Sequence, residues 1–279
     1  MLRDITIGQY YDVDSVVHKL DPRTKIIATV VYIVSLFCVK NILGFALAGI
    51  GLLTAVKLAR IPLKFILRGL KTIMVLLLFT VVLNIFLVDG TPIVKWGFIS
   101  ISKEGIYTAV FMAARLVLLI IGCSMMTLTT TPIQLTDGIE RLLRPLKKIK
   151  VPVHDIAMMM SIALRFIPIL LEETDKIMKA QTARGADFES GGLVQKAKSL
   201  IPVLVPLFIS AFRRADELAT AMEARCYHGD EGRTRMKELK YRTRDHVAKA
   251  CLLVFLLGLI LSRYLPSVTS IGAFFLSKW

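Results

Sequence analysis

No GxxxxGK[ST] loop occurs in the sequence, so the chain lacks the glycine-rich backbone cradle that usually holds nucleotide phosphates. HExxH and GxSxG are absent too, which removes the common zinc-peptidase and serine-hydrolase signatures. Four cysteines, Cys38, Cys123, Cys226 and Cys251, lie far apart, and three of them fall in apolar runs. That spacing builds neither a disulfide framework nor a zinc site. His18, His154, His228 and His246 are equally dispersed, and Cys226 with His228 alone makes a poor metal site. Residues 1–25 mix Arg3, Asp4, Asp12, Asp14, Lys19, Asp21, Arg23 and Lys25 without an apolar core, unlike a signal peptide. No inverted repeat of broken spans marks the chain as a secondary transporter with its own substrate site. Acids are scarce as well: 21 Asp and Glu stand against 36 Lys and Arg, a net charge of +15.

What the chain has in abundance is apolar side chains, 55% of the total. Mean hydropathy of +0.64 together with so large a charge describes a membrane protein with a substantial polar portion. The basic excess follows the positive-inside rule, a simpler account than nucleic-acid binding, and no nucleic-acid partner is expected. Asp21-Pro22 reads as a helix start, with Asp capping and Pro in the first turn. Apolar segments at 26–39, 42–59, 73–88 and 106–129 are four expected crossings, and 250–261 with its flanks is a fifth. Lys57, Arg60, Lys64, Arg68 and Lys71 form an acid-free stretch expected in the cytoplasm. Asp89-Gly90-Thr91-Pro92 is turn chemistry, and the following stretch with Trp96 and Phe98 is expected at the outer interface. Five crossings that start inside would leave Trp279 outside. Arg115 sits inside the fourth apolar run, expensive enough there to need a partner, with Glu104 a possible counter-ion. Asn84, in the third run, is expected to hydrogen-bond between helices.

Beyond Thr131 the character changes, since 21 of the 36 basic and 15 of the 21 acidic residues lie between Thr131 and Lys249. This portion is expected in the cytoplasm. Thr131-Pro132 with Asp137 and Glu140 opens a short helix that closes near Leu143 to Pro145. Apolar runs at 156–171 and 200–212 are interrupted by Arg165, Pro168, Pro202 and Pro206, and each reads as the membrane-touching half of a long helix. Arg233, Arg235, Lys237 and Lys240, in the charge-dense stretch before the last crossing, suit anionic headgroups.

Within this portion one pattern is written twice. DKIMKAQTARG at 175–185 recurs 41 positions later as DELATAMEARC at 216–226. Ile177, Ala180 and Arg184 share one helical face, as do Leu218, Ala221 and Arg225. Each copy is therefore a helix end carrying a cation that opposes the negative end of the helix dipole. Gly185 is the expected stop of the first helix, and Gly229 follows the second. Alanines spaced by three would also let two helices cross closely. Two matched ends imply two matched receptors.

The chain resembles the T component of energy-coupling factor (ECF) transporters, ABC-type importers of vitamins and other micronutrients. The resemblance rests on Ser15-Val16-Val17-His18-Lys19-Leu20-Asp21-Pro22-Arg23-Thr24-Lys25, on Thr129-Thr130-Thr131-Pro132, and on Ala183-Arg184-Gly185 and Ala224-Arg225-Cys226. Cys226 stands where the family more usually has Gly or Ser, a departure that bears on the local turn. The resemblance implies an all-α polytopic membrane protein with about five transmembrane helices, plus cytoplasmic coupling helices between the fourth and last spans. Its expected divisions are a cytoplasmic segment 1–25, spans one to four in 26–130, a coupling-helix region 131–246, and a last span with an outer C-terminus in 247–279. By resemblance the coupling helices cross in an X at Ile177, Ala180, Leu218 and Ala221. Each Ala-Arg-Gly-type end docks on one of two ATPase subunits, A and A', which bind ATP and Mg. Met158, Met159, Ile162, Leu204 and Phe208 are expected to touch an interchangeable substrate-binding S component. No cofactor is expected in this chain, and it is expected not to be an enzyme itself. The rival from another class is a membrane enzyme on lipid or isoprenoid substrates, using Asp12, Asp14 and Arg115. A receptor or scaffold without a transport role is a third reading.

Overall fold

A computed structural model describes residues 10–39, 41–87, 91–96, 99–188, 192–227, 229 and 239–264. Expectations for Trp279, Phe98, His228, Arg233, Arg235 and Lys237 fall outside these residues, as do Asp89 and Gly90. The chain divides into two compact units, one of 8–138 with 239–279 and the other of 1–7 with 139–238.

In the first unit, α1 (Pro22–Cys38), α2 (Ile42–Ala59), α3 (Leu63–Leu87), α4 (Lys103–Thr129) and α8 (Thr243–Tyr264) form a bundle. Helix α4 packs against α1, α2 and α3, while α8 packs against α1 and α2. Leu52, Val56, Ala59, Ile61, Ile66, Met125 and Leu128 form its main buried cluster. Close approach of α1 to α4 depends on Gly122, where a Cβ would lie 2.6 Å from the Tyr32 ring. A hairpin of β1 (Pro92–Trp96) and β2 (Ile99–Ser102), antiparallel with Trp96 opposite Ile99, precedes α4. Its two strands are the only ones among the described residues, so the fold class is all-α. Helix α5 (Pro132–Leu143) straddles the division at residue 138. The second unit continues with a 3-10 helix (Arg144–Ile149), then α6 (Val153–Ala183) and α7 (Leu193–Glu223), which pack on each other.

Among the described residues five helices are long and apolar enough to cross a membrane, the number expected, but the set differs. Helices α2, α4, α6, α7 and α8 qualify, and α3 qualifies as a sixth only as two bent halves. At 17 residues α1 is shorter than the roughly 20 a full span needs. Pro168, Pro202 and Pro206 lie inside continuous helix, which is why α6 and α7 extend through the interruptions expected of them.

The expected helix starts and ends are built by named side chains. Asp21 caps α1 by accepting from the Arg23 N–H, and the Arg23 guanidinium grips both oxygens of the same carboxylate at 3.0 and 2.8 Å. Arg23 also donates to the Leu239 carbonyl and stacks 3.9 Å over Tyr241. Asp245, buried in the first turn of α8, accepts from the Asp21 N–H at 2.7 Å and the Arg242 N–H at 2.8 Å. One carboxylate thus joins the starts of α1 and α8. Although burial pushes the Asp21 carboxyl upward, the Arg23 hydrogen bonds prevail and its pKa is lowered. Lys25 donates to the Thr129 carbonyl at 2.7 Å and the His18 carbonyl at 3.0 Å. It neutralises the end of α4, and the Tyr11 N–H supplies the neighbouring Leu128 carbonyl.

Arg115 is placed differently from expectation. Its guanidinium donates to the carbonyl of Val39, the C-cap of α1, at 3.0 Å. Glu104 is not its counter-ion; this carboxylate accepts from the Thr91 N–H and hydroxyl. An Arg on an unpaired carbonyl at the negative end of a helix gains both a hydrogen bond and the dipole. Asn84 likewise bonds within its own helix, to the Thr80 carbonyl, rather than across helices.

Lys25 lies ahead of the apolar run of α1, and burial pushes its pKa down from the usual 10.5 to about 8, against a smaller upward pull from Asp21 and Asp245. Because the fold disfavours the protonated form, the unfolded chain binds more protons between these values, and stability must rise with pH there. The slope from this group is at most about 1.4 kcal/mol per pH unit. Thermal unfolding in detergent between pH 7.5 and 9.5 should therefore show wild-type Tm gaining on that of Lys25→Met. Parallel curves would contradict the assignment.

Candidate functional site: two arginine-bearing helix ends

Both copies of the repeated pattern close in one and the same backbone turn. At the end of α6, Gly185 adopts φ +90°, its N–H bonds the Thr182 carbonyl, and the Ala186 N–H reaches back to the Gln181 carbonyl. At the end of α7, Cys226 adopts φ +53°, its N–H bonds the Glu223 carbonyl, and the Tyr227 N–H reaches back to the Met222 carbonyl. These are paired 6→1 and 5→2 bonds, the Schellman arrangement that satisfies the last carbonyls of a helix. The 41-residue offset carries each donor and acceptor of the first turn onto its counterpart in the second. Arg184 and Arg225 consequently occupy the same position, one residue before the left-handed one. Both are exposed, and among the described residues neither is held by a carboxylate.

The second helix does not stop at Gly229, although that glycine also has φ +90°. Cys226 takes the left-handed role three residues earlier, at a steric cost of about 1–2 kcal/mol that Gly185 avoids. Nothing lies within 4 Å of a Cβ built on Gly185, so its backbone angle alone is what demands glycine.

Each end is tied to its unit by a residue that the sequence pattern did not mark. Pro206 has no N–H, so the Pro202 carbonyl four residues earlier in α7 lacks its helical donor. The Gln181 side-chain amide supplies one at 3.3 Å, while the Gln181 carbonyl closes the first turn. Beside it, Arg214 of α7 pairs with Glu173 of α6 at 3.1 Å. At the second end the Tyr227 hydroxyl lies 3.5 Å from His154 Nε2, and His154 Nδ1 lies 3.1 Å from Glu140. Two prolines spaced by four were the one signal in the sequence for Gln181. Nothing local foretold the Tyr227–His154–Glu140 chain.

Among residues expected at a helix crossing, Ile177 and Leu218 are half-buried and Ala180 and Ala221 are exposed. Among the described residues, hydrogen bonds between α6 and α7 join Glu173 with Arg214 and Gln181 with Pro202. Ala183 and Ala224 are exposed beside their arginines. Along the apolar halves, Met159, Leu204 and Phe208 are exposed at 58, 46 and 60%, with Met158 and Ile162 half-buried. So open a row of large apolar groups is a surface for lipid or another protein.

The polar groups of the rival enzyme reading are not gathered into a site. Asp12 and Asp14 are exposed, Asp14 pairs with Lys19, and Arg115 is engaged by the Val39 carbonyl. No cluster of three or more metal-binding side chains occurs among the described residues.

Comparison with known proteins gives a consistent result. The family described as "Cobalt transport protein" (CbiQ) matches residues 14–236. A Clostridium kluyveri protein named energy-coupling factor transporter transmembrane protein EcfT is 59% identical, over 94% of this chain and 98% of that protein. Proteins of the same name from Ruminiclostridium cellulolyticum and Bacillus subtilis are 58% and 49% identical, over 95% and 88% of this chain and 99% and 93% of theirs.

The strain at Cys226 is testable. Cys226→Gly should stabilise the second turn by about 1 kcal/mol, and Gly185→Ala should weaken the first by a similar amount. Amide hydrogen exchange at Tyr227 and Ala186 reads each turn directly, slowing roughly fivefold in the former variant and speeding roughly fivefold in the latter. Unchanged exchange in both would remove the backbone argument.

Proposed function

Since the chain belongs to the EcfT family of energy-coupling factor transporter transmembrane proteins, we propose that its two arginine-bearing helix ends are the points at which ATP-driven motion enters it. The chain is the membrane component of such a transporter. In the proposed reading, two cytoplasmic ATPase subunits bind ATP and Mg, and each receives one end, Ala183-Arg184-Gly185 or Ala224-Arg225-Cys226. A guanidinium offers a rigid fork of donors to a carboxylate or to backbone carbonyls, and a helix end presents it without competition from its own unit. The observation that carries this reading is the identity of the two turns. A pair of equivalent receptors needs a pair of equivalent ligands, and hydrogen bond for hydrogen bond the ends are the same.

Closure of the ATPases would displace these ends and, through α6 and α7, the apolar halves of the same helices. There a small membrane protein that binds the substrate would dock on Met158, Met159, Ile162, Leu204 and Phe208. Large exposed apolar groups with adaptable methionines suit a partner that is exchanged. A vitamin or other micronutrient is the expected cargo, selected by that partner. The N-terminus and both ends would then face the cytoplasm, in accord with the basic excess.

Truncating a desolvated interface arginine commonly costs about 2 kcal/mol or more, roughly 30-fold in affinity. Each of Arg184→Ala and Arg225→Ala should weaken retention of ATPase subunits on the purified complex. The double variant should lose both retention and ATP-dependent uptake, while still reaching the membrane as a folded chain. Normal assembly and uptake by the double variant would sink the proposal.

A further inference from the structure

At the end of the bundle where α2 leaves and α8 enters, a cavity of about 520 Å³ is lined by Asp14, Ser15, Val16, Lys19, Lys57, Leu58, Arg60 and Arg244. Its charge is one-sided. Lys19 is paired with Asp14 at 3.0 Å, which leaves Lys57, Arg60 and Arg244 on the wall with no other acid lining it among the described residues. The three come from chain segments nearly 190 residues apart, so the fold rather than the sequence assembles them. Arg60 is held there at φ +55°, where a side chain costs about 1–2 kcal/mol that glycine would avoid.

Two features decide what such a cavity takes. The first is its level. Lys57 and Leu58 are in the last turn of α2, and Arg244 is in the first turn of α8, both helices being long and apolar enough to span. The cavity therefore lies where a span meets water, at headgroup depth. The second is its mixed wall. Val16 and Leu58, exposed at 55 and 58%, stand beside the cations, an arrangement that a freely soluble anion does not need. A phosphodiester carrying a glycerol and the start of two acyl chains matches both halves, with arginine offering paired donors and lysine a point charge. Basic pockets at the cytoplasmic ends of spans hold such headgroups, and the acid-free run of cations that includes Lys57 and Arg60 places this end there by the positive-inside rule.

We propose that this cavity is a binding site for an anionic phospholipid headgroup of the phosphatidylglycerol type. The proposal is independent of the ATPase-docking role, since it involves neither Arg184 nor Arg225.

The test uses the full-length chain in neutral detergent and counts retained lipid by native mass spectrometry, with phosphatidylglycerol or phosphatidylcholine added. Wild type should retain phosphatidylglycerol at least tenfold better than phosphatidylcholine. A Lys57→Gln, Arg60→Gln, Arg244→Gln variant should lose that preference, and the charge-keeping Lys57→Arg, Arg60→Lys, Arg244→Lys variant should keep most of it, which separates lost binding from lost folding. A control with equal charge removed elsewhere, Lys176→Gln, Lys196→Gln, Lys198→Gln, should bind as wild type. Inorganic phosphate at millimolar concentration should not displace the lipid. The proposal is overturned if the glutamine variant retains phosphatidylglycerol normally, if the control loses it equally, or if phosphate competes and marks the cavity as a site for soluble anions.

Discussion

The last carbonyls of a helix have no donor within the helix, and beside a membrane water does not reliably provide one. In this protein that requirement accounts for the placement of Arg115 and Lys25 and for the turns beside Arg184 and Arg225. The end of α1 takes the Arg115 guanidinium, and the end of α4 takes the Lys25 ammonium and the Tyr11 N–H. Helices α6 and α7 solve the same problem within their own backbone, by turning left-handed at Gly185 and Cys226. Where a side chain does the capping, the cation is consumed by the fold. Where the backbone does it, the adjacent arginine stays available to a partner, and that distinction separates Arg184 and Arg225 from Lys25 and Arg115.

The two arginine ends match in shape but not in anchorage. The first leans on α7 through Gln181, whose amide fills a vacancy created by the Pro202–Pro206 pair. The second leans on the start of α6 through Tyr227 and His154, with Glu140 behind. Each end therefore has a hydrogen-bonding contact with the other helix of the pair. A symmetric presentation built on asymmetric supports suits two receptors that are similar without being required to move identically.

Much of the helix pattern was legible because it depends on neighbours in sequence. Asp21-Pro22 announced the start of α1, Ile42–Ala59 was bounded by its own polar flanks, and Pro132 and Leu143 bounded α5 as expected. The start of α3 was hidden because Lys64, Arg68 and Lys71 make its first two turns read as a loop, although they propagate as helix from Leu63. The repeated motif revealed the arginines and the first left-handed turn, and it marked Cys226 as a departure at the second without giving its left-handed backbone. Contacts such as Lys25 to Thr129, 104 residues apart, are set by tertiary approach and leave no local trace. Even so, they join the very segments that carried the family resemblance. What marks those segments is a shared task, sealing the ends of α1, α4 and α8 together.

A lever must be stiff between its load and its pivot. Each of α6 and α7 has 31 residues, about 46 Å of helix, and each carries proline in its interior. A proline removes one hydrogen bond and crowds the preceding turn, so an unsupported helix bends there. In α7 the prolines fall at 202 and 206, among the apolar residues and well before the Arg225 end, leaving the stretch from Leu207 to Glu223 without interruption. In α6 the proline falls at 168, leaving Ile169 to Ala183 without one. The charged half of each helix is thus free of proline, and the prolines are confined to the apolar half. Gln181 supplies from α6 one of the donors that α7 lacks at its two prolines. In the proposed coupling role, motion imposed at either arginine would therefore meet uninterrupted helix first and the prolines only among the exposed apolar side chains.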